Sequence, residues 1–169
     1  MIAVAAAGLV LAACAAAAAR GSGHGGGNAK SRGGAACVQA ASAPYKENCG
    51  ACHMAYPAAL LPEASWRNIL GGLDDHFGAG VSLEADGRAQ VEAYLFPNAA
   101  DRGGTRLGAR IMACLGSQAP DRISTLPFLQ RVHRKAGAAV SSGQDGGGFK
   151  DCTGCHADAE QGGFGKGRR

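Results

Sequence analysis

Two five-residue strings, Cys49-Gly50-Ala51-Cys52-His53 and Cys152-Thr153-Gly154-Cys155-His156, each place two cysteines three positions apart directly before a histidine. Two thiols at that spacing can each add to one vinyl group of a porphyrin, and the adjacent histidine is then carried beneath the iron as its proximal ligand. With seven cysteines and five histidines in 169 residues, one such string can arise by accident, but two do not. The chain is therefore read as binding two covalently attached c-type haems, with His53 and His156 as proximal ligands, and its fold must be built around them.

Two other chemistries use paired cysteines. A dithiol redox motif needs a strand leading into a helix, and neither string has that context. A zinc site would have to join pairs separated by about 100 residues, far beyond ordinary finger spacing. Composition agrees with haem. Aromatic residues make up 5% of the chain, and the 46% hydrophobic content is inflated by an alanine-rich opening, so side chains alone supply little core for a domain of this length. A large flat cofactor fills that gap.

Each iron also has a distal face. His24 lies in a glycine-rich stretch and is an unconstrained surface residue. His76 follows Ile69 by seven positions and Leu73 by three, which sets it on the apolar face of an expected helix, and His133 follows Leu129 by four beside Val132. Two spare inward-facing histidines match two irons. Met112 is the alternative axial ligand, whereas Met54 directly follows a proximal histidine and cannot easily reach the opposite porphyrin face. Bis-histidine ligation keeps a potential low and methionine raises it. Proximity in sequence favours His76 for the haem on Cys49 and Cys52 and His133 for the other, with a crossed arrangement open.

Residues 1–20, almost all alanine and small aliphatics, form an apolar run too short for a membrane span and are followed by small residues, as in a secretory signal. Leu11-Ala12-Ala13-Cys14 also has the form of a lipobox, in which Cys14 would carry a lipid anchor. Export places the protein in the periplasm, as a lipoprotein if Cys14 is modified. In an oxidising compartment the remaining cysteines, Cys37 and Cys114, are candidates for a disulfide.

Residues 21–43 have no apolar period and read as a flexible linker, followed by a haem domain over 44–164 and a basic tail over 165–169. Trp66, Ile69, Leu70, Leu73 and Phe77 share one helical face, predicting a helix over 62–77 with Gly78 as its stop. Ser82 is placed to cap a second helix carrying Val91, Tyr94 and Leu95 and ended by Pro97. Residues 98–121 are expected to be irregular, with a short helix at Leu107, Ile111, Met112 and Leu115. A third helix opens near Ser124 or Thr125 with Pro127 in its first turn, runs to about Lys135, and buries Phe128, Leu129 and Val132. Residues 136–148 read as a loop. No alternating strand pattern appears, so the fold class is all-α.

The segment Tyr45-Lys46-Glu47-Asn48-Cys49 through His53-Met54-Ala55-Tyr56-Pro57, with Leu60-Leu61-Pro62, Ser65-Trp66 and Leu73-Asp74-Asp75-His76-Phe77-Gly78, closely resembles the bacterial dihaem cytochrome c family. Ala93-Tyr94-Leu95, Asn98-Ala99-Ala100-Asp101, Arg122-Ile123-Ser124, Pro127, Arg131, His133-Arg134, and the last block from Cys152 to His156 with Glu160-Gln161-Gly162 extend the resemblance over about 45–164. It implies a small periplasmic electron carrier with two closely spaced low-spin haems. It also implies redox traffic with membrane cytochromes b, or delivery of electrons to a small oxygen-binding c-type haem protein. The glycine-rich 136–149 stretch and the Gly-Lys-Gly-Arg-Arg ending depart from the family pattern.

An electron carrier needs saturated irons and a haem edge near the surface, but no acid/base pair. A dihaem peroxidase-like enzyme, or a haem protein that binds gas or another ligand, would need one open axial site. The one tight carboxylate pair, Asp74-Asp75, points in two directions at consecutive helical positions and suits a flank beside His76. The net charge of +4 is mild and partly terminal, and no basic helix with an aromatic platform accompanies it, which argues against nucleic acid. Electron transfer is the expected role.

Overall fold

Ser42 begins the helical part of the chain, its side chain accepting the Tyr45 N–H and Pro44 sitting in the first turn of helix α1, Ala43–Cys49. The computed structural model describes residues 37–134 and 152–165. Those residues form five α-helices and several single 3₁₀ turns, with no β-strand among them. The expected leader, the Cys14 anchor, His24, most of the linker and the 136–148 loop lie outside the described residues. No helix among the described residues is long and apolar enough to cross a membrane.

Helix α1 was not foreseen, because seven residues with only Tyr45 buried leave no apolar period to read. Packing also reaches earlier than residue 44. Ala41 is buried, and the carbonyl of Gln39 accepts the Tyr94 hydroxyl at 3.0 Å. Tyr45 and Tyr94 stack with centroids 5.1 Å apart, joining α1 to helix α3, Ala85–Leu95.

The helix expected over 62–77 is shorter. Helix α2 spans Glu63–Gly71, with Asp101 Oδ1 accepting the Glu63 N–H at 2.9 Å at its start. Gly71 and Gly72 end it: the Gly72 N–H is shared between the carbonyls of Asn68 and Ile69, and a separate 3₁₀ turn follows over Leu73–Asp75. Trp66 and Leu70 are buried as expected, and the Trp66 indole donates to the Ala58 carbonyl at 2.8 Å. His76 and Phe77 are therefore not on the helix. They form a tight turn, bridged from His76 to Ala79, in which Phe77 has φ 56 and is 48% exposed.

Helix α3 is capped at Glu84 rather than Ser82 and buries Val91, Tyr94 and Leu95 as its apolar spacing requires. The short helix expected at Leu107, Ile111, Met112 and Leu115 is helix α4, Arg106–Leu115, ten residues capped by Thr105, whose hydroxyl accepts the Gly108 N–H at 2.9 Å. Gly108 is required there by close approach, since a Cβ would run into the carbonyl oxygen of Ala100. Ile111 and Leu115 are fully buried in the core with Leu60, Leu61 and Leu95.

Helix α5, Pro127–His133, begins at the expected proline after a 3₁₀ turn over Ile123–Thr125. Phe128 is buried and Leu129 half-buried, but Val132 is 53% exposed and the fully buried residue is Leu126, just ahead of the helix. The candidate disulfide is not formed: Cys37 and Cys114 are both free thiols, and the Cys114 sulfur sits 2.9 Å from Arg131 Nη2. The C-terminal segment docks through fully buried Ala159 and through Phe164, which packs against the core.

Candidate functional site

The first motif hangs from the end of α1, whose last residue is Cys49. Gly50 closes the helix by donating its N–H to the Lys46 carbonyl, and any Cβ at that position would meet the same oxygen at 2.5 Å. The second motif makes its own turn, with the Cys155 and His156 N–H groups both donating to the Cys152 carbonyl. Cys52 and Cys155 are exposed, Cys49 and Cys152 half-buried. Burial pushes the Cys49 thiol above its ordinary value. The cysteine pairs do not converge: among the described residues no three of His, Cys, Asp and Glu come together as a bare-ion cage, as a zinc centre would require.

Each motif histidine has one of the spare histidines opposite it. The ring centroids of His53 and His76 are 6.1 Å apart, and those of His133 and His156 are 6.0 Å apart. Two imidazoles on opposite faces of one metal ion, each at a metal–nitrogen distance of about 2 Å, have centroids about 6 Å apart. The residues therefore fit the group that the motifs imply, in the uncrossed arrangement. Met112 is instead partly buried against the core.

One imidazole in each pair is held by a backbone carbonyl. His53 Nδ1 lies 2.8 Å from the Met54 oxygen and His133 Nδ1 lies 2.9 Å from the Leu129 oxygen. A carbonyl only accepts, so both Nδ1 atoms donate there, which leaves Nε2 as the nitrogen each neutral ring can offer to a metal. His76 is pushed below the ordinary histidine value, first by burial and then by His53 and Arg122, which keeps it neutral and able to ligate. Aromatic rings frame both pairs. Tyr56 stacks on His53 at 4.9 Å, Phe77 lies 4.8 Å from His76, and Phe164 meets His156 edge-on at 5.8 Å.

Several contributors were not foreseen. Arg122 lies 4.1 Å over the Phe77 ring, tying the turn before α5 to the His76 turn, and no local spacing signals that contact. The Leu129 carbonyl was readable, being four residues before His133 on one helix. Phe77 and Val132 are the large hydrophobic side chains left exposed among the described residues, and each adjoins one of the spare histidines. Apolar surface in those two places suits the face of a porphyrin.

A chain whose described residues are helical, with two C-x-x-C-H turns each opposite a second histidine, is a multihaem c-type cytochrome. The sequence profile of the family described as dihaem cytochrome c matches residues 45–164, and the chain belongs to that family. It is similar to the solved diheme cytochrome c from Rhodobacter sphaeroides, at 36% identity and a TM-score of 0.64 over 76% of this chain and 100% of that one. It is also similar to the diheme cytochrome type c from Shewanella baltica OS155, at 34% identity and a TM-score of 0.55 over 73% of this chain and 86% of that one. No curated protein matches the chain. Two covalently bound c-type haems are its cofactors and haem-based electron transfer is its general role.

Proposed function

We propose that this protein is an exported electron shuttle of the periplasm, passing electrons through two bis-histidine haems between a membrane cytochrome and a soluble acceptor. The haems would supply one-electron redox change at iron, and the chain's own residues do the rest. Cys49, Cys52, Cys152 and Cys155 anchor them, His53 and His76 ligate the first, and His156 and His133 ligate the second. The observation that carries this reading is the centroid spacing of 6.1 and 6.0 Å in the two histidine pairs, which leaves room for one metal ion and no substrate between each pair.

Met54 and Leu129 hold two of the rings in the ligating tautomer, so little rearrangement accompanies a change of charge on the metal. A cleft lined by Lys46, Gly50, Met54, Ala55 and Glu160 sets the first motif beside the segment that carries the second, which favours transfer between the two centres. The proposed partners follow from the family resemblance: a membrane cytochrome b, or a small oxygen-binding c-type haem protein. Exposure of the ferrous holoprotein to carbon monoxide tests the reading. Saturated irons leave the Soret band unchanged, whereas a prompt shift would reveal an open axial site and transfer the assignment to a peroxidase-like or gas-binding protein.

A further inference from the structure

Charge is divided unevenly along the described chain. Residues 37–100, which carry the first motif, contain seven acidic and three basic side chains, whereas residues 101–134, which lead to the second centre, contain six arginines and two aspartates. The two parts also treat their arginines differently. In the first, Arg67 pairs with Glu63 and Arg88 with Glu92, both four residues apart on a helix, and Arg102 at the boundary reaches Glu63 as well. In the second, Arg106, Arg110, Arg122, Arg131 and Arg134 are all exposed, and among the described residues none of them enters an ion pair.

Two of these arginines work against their own helix. Arg106 is the first residue of α4, where the macrodipole disfavours a cation, and no acidic residue lies in that first turn. Arg110 stands one turn further along the same face, so the two repel. The next position in that register, Cys114, is 2.9 Å from Arg131 Nη2, which continues the stripe onto α5. Arg131 and Arg134 there flank His133 and the 53% exposed Val132. A basic stripe thus runs along α4 to an apolar spot beside the second centre.

We propose that this stripe docks an acidic electron-transfer protein, with carboxylates of the partner on Arg106, Arg110, Arg131 and Arg134 and the electron crossing at the second haem. The inference rests on the electron-carrier reading. A protein fits better than an anionic membrane, because α4 turns its apolar residues Ile111 and Leu115 fully into the core and keeps no apolar face to insert. Long-range attraction of this kind raises association rates at low salt and fades as the Debye length shrinks.

The test is stopped-flow oxidation of the reduced holoprotein by two protein probes of opposite surface charge, acidic plastocyanin and basic mitochondrial cytochrome c. The double variant R106Q/R110Q is compared with R67Q/R88Q, which removes the same charge from the other part of the chain. The proposal expects R106Q/R110Q to slow the reaction with plastocyanin about tenfold at low ionic strength. The control pair changes it less than about twofold, and the difference disappears at about 0.5 M salt. Equal slowing by both variants would show that only net charge matters and overturns the proposal. Binding to phosphatidylglycerol vesicles that R106Q/R110Q abolishes, with plastocyanin kinetics unchanged, overturns it in favour of a lipid surface. Failure of the wild-type protein to reduce either probe would bring down the carrier reading itself and the docking surface with it. Thermal melts of both variants keep the kinetic comparison on folded protein, Arg106 and Arg110 being exposed and outside the ion pairs of the described residues.

Discussion

Protonation of Nδ1 in His53 and His133 fixes which nitrogen of each ring is left to bind metal, and a backbone carbonyl sets it in both cases. Opposite them stand His76 and His156 respectively, so each centre has one ring positioned by the backbone and one by packing. The four histidines do not play equal parts. Replacing His76 or His133 by alanine is expected to convert one of the two haems to a high-spin form while leaving both thioether attachments intact, as absorption spectra of each variant and the mass of the haem-bound chain would show. Loss of ligation at both centres from either single change would mean that the two sites are coupled rather than independently ligated. The cofactor chemistry at this scale was readable before any fold was known, because thiol addition and axial ligation constrain residue identity and spacing directly. The position of His76 was legible only as a residue, not as a conformation. Its helical register was sound as far as Leu70, but Gly71 and Gly72 stop the helix and the histidine arrives on a turn. The Arg122 contact with Phe77 was invisible, since residues 45 positions apart are brought together only by the tertiary fold.

Among the elements, α2 and α3 were legible because their apolar residues recur every three or four positions and bury as that period demands. Helix α4 was underestimated for a physical reason: its glycine and arginine content reads as loop, yet Gly108 is what lets it lie against Ala100. Helix α1 carried too little apolar surface to announce itself. The glycines give a contrasted prediction. Gly108→Ala should cost about 1–3 kcal/mol by forcing a Cβ into the Ala100 carbonyl. Gly71→Ala, at the last residue of α2 with nothing within 4 Å of its Cβ, should gain about 0.5–1 kcal/mol. Chemical denaturation of the two holoproteins checks both signs, and equal effects would mean that α4 can shift away from Ala100 at little cost.

At the scale of the whole molecule, the buried cluster runs from Ala41 to Phe128, and the second motif attaches to its margin through Ala159 and Phe164. The two haems should therefore contribute unequally to stability. Removing the second pair of thiols, Cys152→Ala with Cys155→Ala, should open α5 and residues 152–165 to hydrogen exchange while α2, α3 and α4 stay protected. Removing Cys49 and Cys52 should expose α1 and the core packed on Tyr45 as well, and equal exchange in the two variants would contradict that division. The central claim is that both irons are saturated by the histidine pairs, and low-temperature EPR of the oxidised holoprotein tests it most directly. The ring planes meet at 31° in the first pair and 86° in the second. Nearly parallel axial rings split the iron d orbitals that they overlap, and perpendicular rings leave them close in energy. Two distinct low-spin ferric signals are therefore predicted, one rhombic and one strongly anisotropic, in equal amounts. A high-spin ferric signal from either centre would contradict the account.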